Sequence, residues 1–185
     1  MSVRIELDEK ALETAHNLFA NAREQFGRAA GVAINRTLVT LRKETSITIH
    51  EHYVIKAGKV KSSFTLHRAG RSSTRGSLVS KGNVLDLGNF RIREPKRGPV
   101  KVQVRKEGGL KPVRGLFVRE GYKPMQRTTA AAYPLRVPQG PSVPQMFGNE
   151  ETLKELAPIA EETLNKRFLH EINYRFGKAL NNALR

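Results

Sequence analysis

The sequence predicts an α+β fold, with N-terminal helices and a long C-terminal helix packed on a small antiparallel β-sheet or partial barrel. Three observations lead to it. Apolar residues recur at helical spacing at both ends of the chain. Between them, short alternating runs are punctuated by Gly and Pro. Charge divides along the same lines: residues 1–53 carry seven Lys/Arg and seven Asp/Glu, 54–127 carry 19 and four, and 128–185 carry seven and six. The 185 residues are expected to form a single domain. Its parts are a helical N-terminal part (1–53), a basic β region with flexible loops (54–140) and a C-terminal helix (141–185).

Val3, Ile5 and Leu7 alternate with polar residues, as a short opening strand requires. Asp8 is a candidate N-cap, because its side chain can accept from a free first-turn N–H. Leu12, Ala15, Phe19, Ala22 and Phe26 then recur at helical spacing, and Ala30, Ala33, Ile34, Leu38 and Leu41 resume it. Gly27 can end or interrupt that helix, and the Thr45–Ile49 run weakens it. One long or broken helix near 8–49 is expected.

Ile55–Lys61 suits a short helical turn. Strand-like runs follow at Phe64–His67, Ser77–Ser80, Val84–Leu87, Val100–Val104, Leu116–Val118 and Leu135–Val137, within an antiparallel region near 62–137. Val100, Val102 and Val104 alternate with Lys101, Gln103 and Arg105, which describes a half-buried strand with a basic outer face. Arg91 and Arg93 flank Ile92 in the same way. The segments Arg68–Gly76 and Glu107–Arg114 are expected to lack fixed structure before any assembly, since the first has little to bury. Tyr133–Pro144 holds four prolines and is expected to be an extended connector. Asn149 is a candidate N-cap for a last helix near 150–184, with Pro158 expected to kink or restart it near Ala157.

Composition limits the chemistry. The chain has no cysteine, so neither a disulfide framework nor a thiolate metal site is available. MSVRIELDEK lacks the apolar core of a signal peptide, and no run approaches the roughly 18 apolar residues of a membrane span. A protein made and used in a cytoplasm, or in a particle assembled there, is expected. Asn35-Arg36-Thr37 matches a glycosylation sequon, which has no use without secretion.

His50 and His52 are the only close histidines, and two residues apart on a helix they point away from one site. Neither phosphate-binding glycine motif nor a G-x-S-x-G elbow occurs. The glutamates of the terminal helix read as solubility residues. No catalytic residue, metal, cofactor, membrane or small-molecule substrate is expected, and the chain is expected not to be an enzyme.

The net charge of +16 favours an anionic partner through its summed field. Candidate partner- or DNA-facing residues are Lys56, Lys59, Lys61, Arg68, Arg71, Arg75, Arg91, Arg93, Lys101 and Arg105. With neither zinc-finger spacing nor an RNP aromatic motif, contact with nucleic acid should be to the backbone and sensitive to salt. Pro144, Met146, Phe147, Phe168 and Phe176 are candidate subunit-interface residues.

AGVAINRTLVTLRKET at Ala30–Thr45, YVIKAGKVKSSFTLHRA at Tyr53–Ala69 and GPSVPQMF at Gly140–Phe147, followed by a terminal helix, form a recognisable order. Together they resemble the prophage minor tail protein Z family, the tail-completion proteins of long-tailed phages. The likeness runs from about Ala30 to the C-terminal helix. It implies a non-enzymatic virion protein acting where tail joins head. The partners it implies are other copies in a ring, the tail terminator, tail tube and connector proteins, and non-specific contact with the genomic DNA end. The reading that charge alone suggests is a nucleic-acid-binding module of ribosomal or chromatin type.

Overall fold

The computed structural model describes residues 9–70 and 74–183, with side chains placed for 22, 24–70 and 74–177. The fold is α+β. The expected opening strand, the Asp8 cap and Arg71 lie outside the described residues. The described chain forms two compact units, Met1–Thr40 with Leu66–Ser77 and Ile159–Arg185, and Leu41–Thr65 with Leu78–Pro158.

Helix α1 spans Glu9–His52 without a break. Gly27 sits inside it, costing helix propensity but not the helix. The Thr/Ile run also stays helical. Thr45 turns its hydroxyl back onto the helix, Oγ1 donating to the Leu41 carbonyl at 2.7 Å, as Thr37 earlier in α1 does to Ala33 at 2.9 Å. Both threonines can therefore be buried without an unsatisfied group.

In the first unit α1 presents small residues. Ala29, Ala33 and Thr37, one turn apart, are all buried. Asn35 clamps the 66–77 segment by donating Nδ2 to the Ala69 carbonyl (3.0 Å) and accepting from the Ala69 N–H (2.8 Å). Gly76 comes so close to α1 that a Cβ there would meet Ile34 Cγ2 at 2.8 Å and Leu38 Cδ1 at 2.9 Å. Helix α4 (Glu150–Ala183) joins this unit from Ile159 onward. Phe168 packs edge-on against Phe26 with ring centroids 5.3 Å apart, and Arg36 Nη1 meets Glu171 Oε1 at 2.7 Å.

The core of the second unit is formed by Ile49, Tyr53, Ile55, Val60, Phe64, Leu87, Phe90, Val102, Leu116, Val143 and Met146. The short helix α2 is Ala57–Ser62. Strands β1 (Phe64–His67) and β2 (Ser77–Ser80) pair with each other, in the positions the alternation predicts. The remaining strands form three further small sheets where one sheet or a partial barrel was expected. Strand β3 (Leu85–Asp86) is followed by a 3₁₀ turn, Leu87–Asn89. Then come β4 (Arg91–Arg93), β5 (Lys101–Gln103), β6 (Lys111–Pro112), β7 (Leu116–Phe117), β8 (Met125–Arg127), β9 (Leu135–Arg136) and β10 (Gln139–Gly140). The orders are β4-β5-β6, β7-β8-β9 and β10-β3, all antiparallel.

Two expectations about loops are corrected. Glu107–Arg114 contributes β6, because Lys111 and Pro112 pair with Val102 and Lys101 and the Val113 N–H donates to the Val100 carbonyl at 2.9 Å. The proline-rich connector contains β10 and the start of helix α3 (Val143–Phe147). Pro144 falls in the first helical turn, where a missing N–H costs nothing. Ser142 closes a capping box with Gln145, its Oγ accepting from the Gln145 N–H while Gln145 Oε1 accepts from the Ser142 N–H at 2.8 Å. Gly140 is required where it stands, since a Cβ would lie 2.6 Å from the buried Phe90 ring. Helix α4 also continues through Pro158, so no restart occurs there.

Candidate functional site

Strand pairing assembles a basic face in the second unit. Strand β4 lies antiparallel to β5, with Arg91 opposite Gln103, Ile92 opposite Val102 and Arg93 opposite Lys101. Directly opposed residues share a face, so Val102, buried in the core, and Ile92, packed against that core, turn one way. Arg91, Arg93 and Lys101 turn the other way and are exposed. Arg93 and Lys101 are like charges directly opposed, an arrangement that destabilises a sheet. Among the described residues none of these three side chains forms an ion pair.

Arg105, predicted on the same face, is placed differently. Beyond β5 it forms a bridge with Tyr53, and its guanidinium lies over the Tyr53 ring, 5.4 Å from the centroid. Its Nη2 donates to Tyr53 Oη at 3.3 Å and its Nη1 lies 3.6 Å from Glu151 Oε2. Tyr53 Oη also accepts from Asn149 Nδ2 at 3.0 Å. Asn149 is the cap of α4 as predicted, its Oδ1 accepting from the Glu151 N–H at 3.3 Å. Beside this junction His52 Nε2 meets Glu155 Oε1 at 3.0 Å and the Lys106 N–H donates to the His52 carbonyl. Arg105 is thus held by internal contacts to Tyr53, just past α1, and to Glu151 of α4.

Tyr53→Phe should cost about 1 kcal/mol, because it removes the acceptor shared by Asn149 and Arg105, both of which can still reach Glu151. Urea denaturation measures it. A loss under about 0.3 kcal/mol would mean the hydroxyl bonds add nothing to ring packing.

Behind the sheet is a half-open cleft of about 470 Å³, walled by Leu87, Val102, Val104 and Val113 and rimmed by Arg105, Glu107 and Lys111. His50 has Nε2 buried and without a hydrogen-bond partner. Its pKa is lowered from the ordinary 6.5, first by burial and then by the charges of Lys106 and Lys61, so it is held neutral near pH 7. Among the described residues no group of three His, Asp or Glu could hold a metal ion, and no helix is long and apolar enough to cross a membrane.

The other predicted residues are dispersed. Lys56, Lys59 and Lys61 are exposed on and just before α2. Arg68 and Arg75 belong to the first unit. Of the candidate interface residues, Met146 is fully buried in the core and is not available to a neighbour. Phe147 packs edge-on against Phe64 at 5.4 Å, and Pro144 is half-buried. Phe168 meets Phe26 edge-on, and Phe176 remains 38% exposed. Sequence reasoning missed Asn35, Arg36 and Glu171, whose partners are far along the chain. The helical spacing from Asn149 did place Glu171 within α4, but gave no sign that it is buried. No family model matches the chain, and no curated protein or solved structure matches it either.

Proposed function

We propose that this chain is a non-enzymatic tail-completion protein of a long-tailed phage, acting at the head–tail junction of the virion after assembly in the host cytoplasm. It works by joining other copies of itself in a ring and by contacting tail terminator, tail tube and connector proteins. The observation that carries this reading is the ordered resemblance of three segments to the prophage minor tail protein Z family. Those segments are also structurally interdependent. Tyr53–Ala69 and Gly140–Phe147 meet in one core through Phe64 and Phe147. Asn35, in the AINRT segment, holds Ala69 at the end of the second segment. A ring of such subunits closes through heterologous contacts, each copy offering one surface to the next. The exposed apolar side chains of α4, Leu169, Tyr174 and Phe176 among them, are available for that contact.

Deleting the gene from a phage or prophage that carries it should yield particles with unjoined heads and tails. Infectious titre should fall at least a hundredfold and return when the chain is supplied from a plasmid. Particles of normal morphology and full titre after deletion would end the reading.

A further inference from the structure

We propose that the outer face of the β4–β5–β6 sheet, with the hairpin tip between β4 and β5, is a docking surface for the phosphate backbone of duplex DNA. The tail reading is needed only to say which DNA is met, the genome end; the contact itself rests on the geometry. Arg91, Arg93 and Lys101 project from one face by strand register. Lys96 and Arg97 are exposed at the tip, so five cations fall within Arg91–Lys101 against one carboxylate, Glu94. None of the five is ion-paired among the described residues. Arg93 opposite Lys101 costs the sheet stability unless an anion lies between or above them.

The choice between a polyanion and an acidic protein follows from what the face lacks. The hot spots of protein interfaces are most often Trp, Tyr or Arg seated in well-packed, desolvated pockets with apolar surroundings. Here Ile92 and Val102 point to the opposite side, into the core, and the outer face offers only Arg, Lys, Gln and Pro side chains. That set is suited to phosphate contacts, which need cations and amide donors but no apolar anchor. With no aromatic on the face to stack on a base, the contact should be indifferent to sequence.

The test uses the full chain, a fluorescent 30-base-pair duplex and a salt series. Wild-type protein should bind with a Kd of about 10⁻⁴–10⁻⁶ M at physiological salt. The slope of log K against log salt should be about −4 to −5, for five phosphate contacts. Arg91→Gln/Arg93→Gln/Lys101→Gln should weaken binding about tenfold or more and make the slope shallower by about 3, with circular dichroism unchanged and the melting temperature no lower than wild type, since the opposition of Arg93 and Lys101 is relieved. Lys123→Gln/Lys154→Gln/Lys166→Gln, with the same net charge, should bind as wild type does. A wild-type slope in the first variant, or equal losses in both variants, overturns the assignment. So does binding of poly-L-glutamate, but not duplex, through the same three residues, which would make the partner an acidic protein. Each of these failures leaves the tail reading intact, since that is judged on particle assembly, and a failed deletion test leaves the DNA contact intact.

Discussion

Met146→Ala should lower the stability of the second unit by about 3 kcal/mol, within the 2–5 kcal/mol range of buried Met-to-Ala changes. Met146 is fully buried. It sits one turn after Val143 on α3, and both side chains enter the cluster that contains Ile49, Val60 and Phe64. A helix of five residues has almost no stability of its own, so α3 exists because its capping box and these two side chains fix it. Removing everything beyond Cβ leaves a hole that the surrounding side chains cannot fill without shifting. Urea denaturation should show a lower midpoint with an unchanged slope. Met146→Leu, which keeps volume, should cost under about 1.5 kcal/mol. If Met146→Ala leaves stability untouched but abolishes assembly, the residue is an interface anchor after all and its burial in the isolated chain is not what matters.

How well the sequence could be read depended on where each element draws its support. Strands β1 and β2 were legible to the residue because they alternate and are bounded by turn residues. Val102 and Ile92 were legible as the buried side of a basic strand for the same reason. Strands β8 and β10 were not, since two or three residues paired through backbone hydrogen bonds are too few to show an alternation. Helix α3 was masked by its prolines, although Ser142 and Gln145 are spaced as a capping box and could have revealed it. Arg105 follows the alternation of β5 but lies past its end, where Tyr53 and Glu151 capture the guanidinium. Alternation predicts a face only while the strand lasts. The division into two units was invisible, because α1, α4 and the β1–β2 pair each contribute residues to both. Of the nine described candidates for the basic surface, strand register brings three, Arg91, Arg93 and Lys101, onto one sheet face.

Glu171→Lys is the substitution that should most damage the first unit. The Glu171 side chain is only 7% exposed, and its two oxygens face different guanidinium groups. Oε1 meets Arg36 Nη1 at 2.7 Å, while Oε2 lies 3.5 Å from Arg175 Nε, in ion-pair range without a hydrogen bond. One buried carboxylate thus holds two arginines, one of them from α1 far along the chain. A lysine there places three cations together with no anion among them, and breaking a buried pair of this kind costs about 3–5 kcal/mol. Because the Arg36 side chain is 50% exposed, water screens part of that repulsion, and about 2–3 kcal/mol is expected. Glu171→Gln, which keeps the shape and one acceptor, should cost less, about 1–2 kcal/mol. Hydrogen exchange localises the effect. Amides of 28–40 in α1 should lose protection before those of β4 and β5, since opening is expected to be local before it is global. Adding Arg36→Glu to Glu171→Lys should restore about half of the loss, as the exchanged pair attracts again while Arg175 still faces a lysine. Equal protection in wild type and Glu171→Lys would show that the Ala29, Ala33 and Thr37 stripe holds this unit by packing alone, and that the arginines merely accompany it.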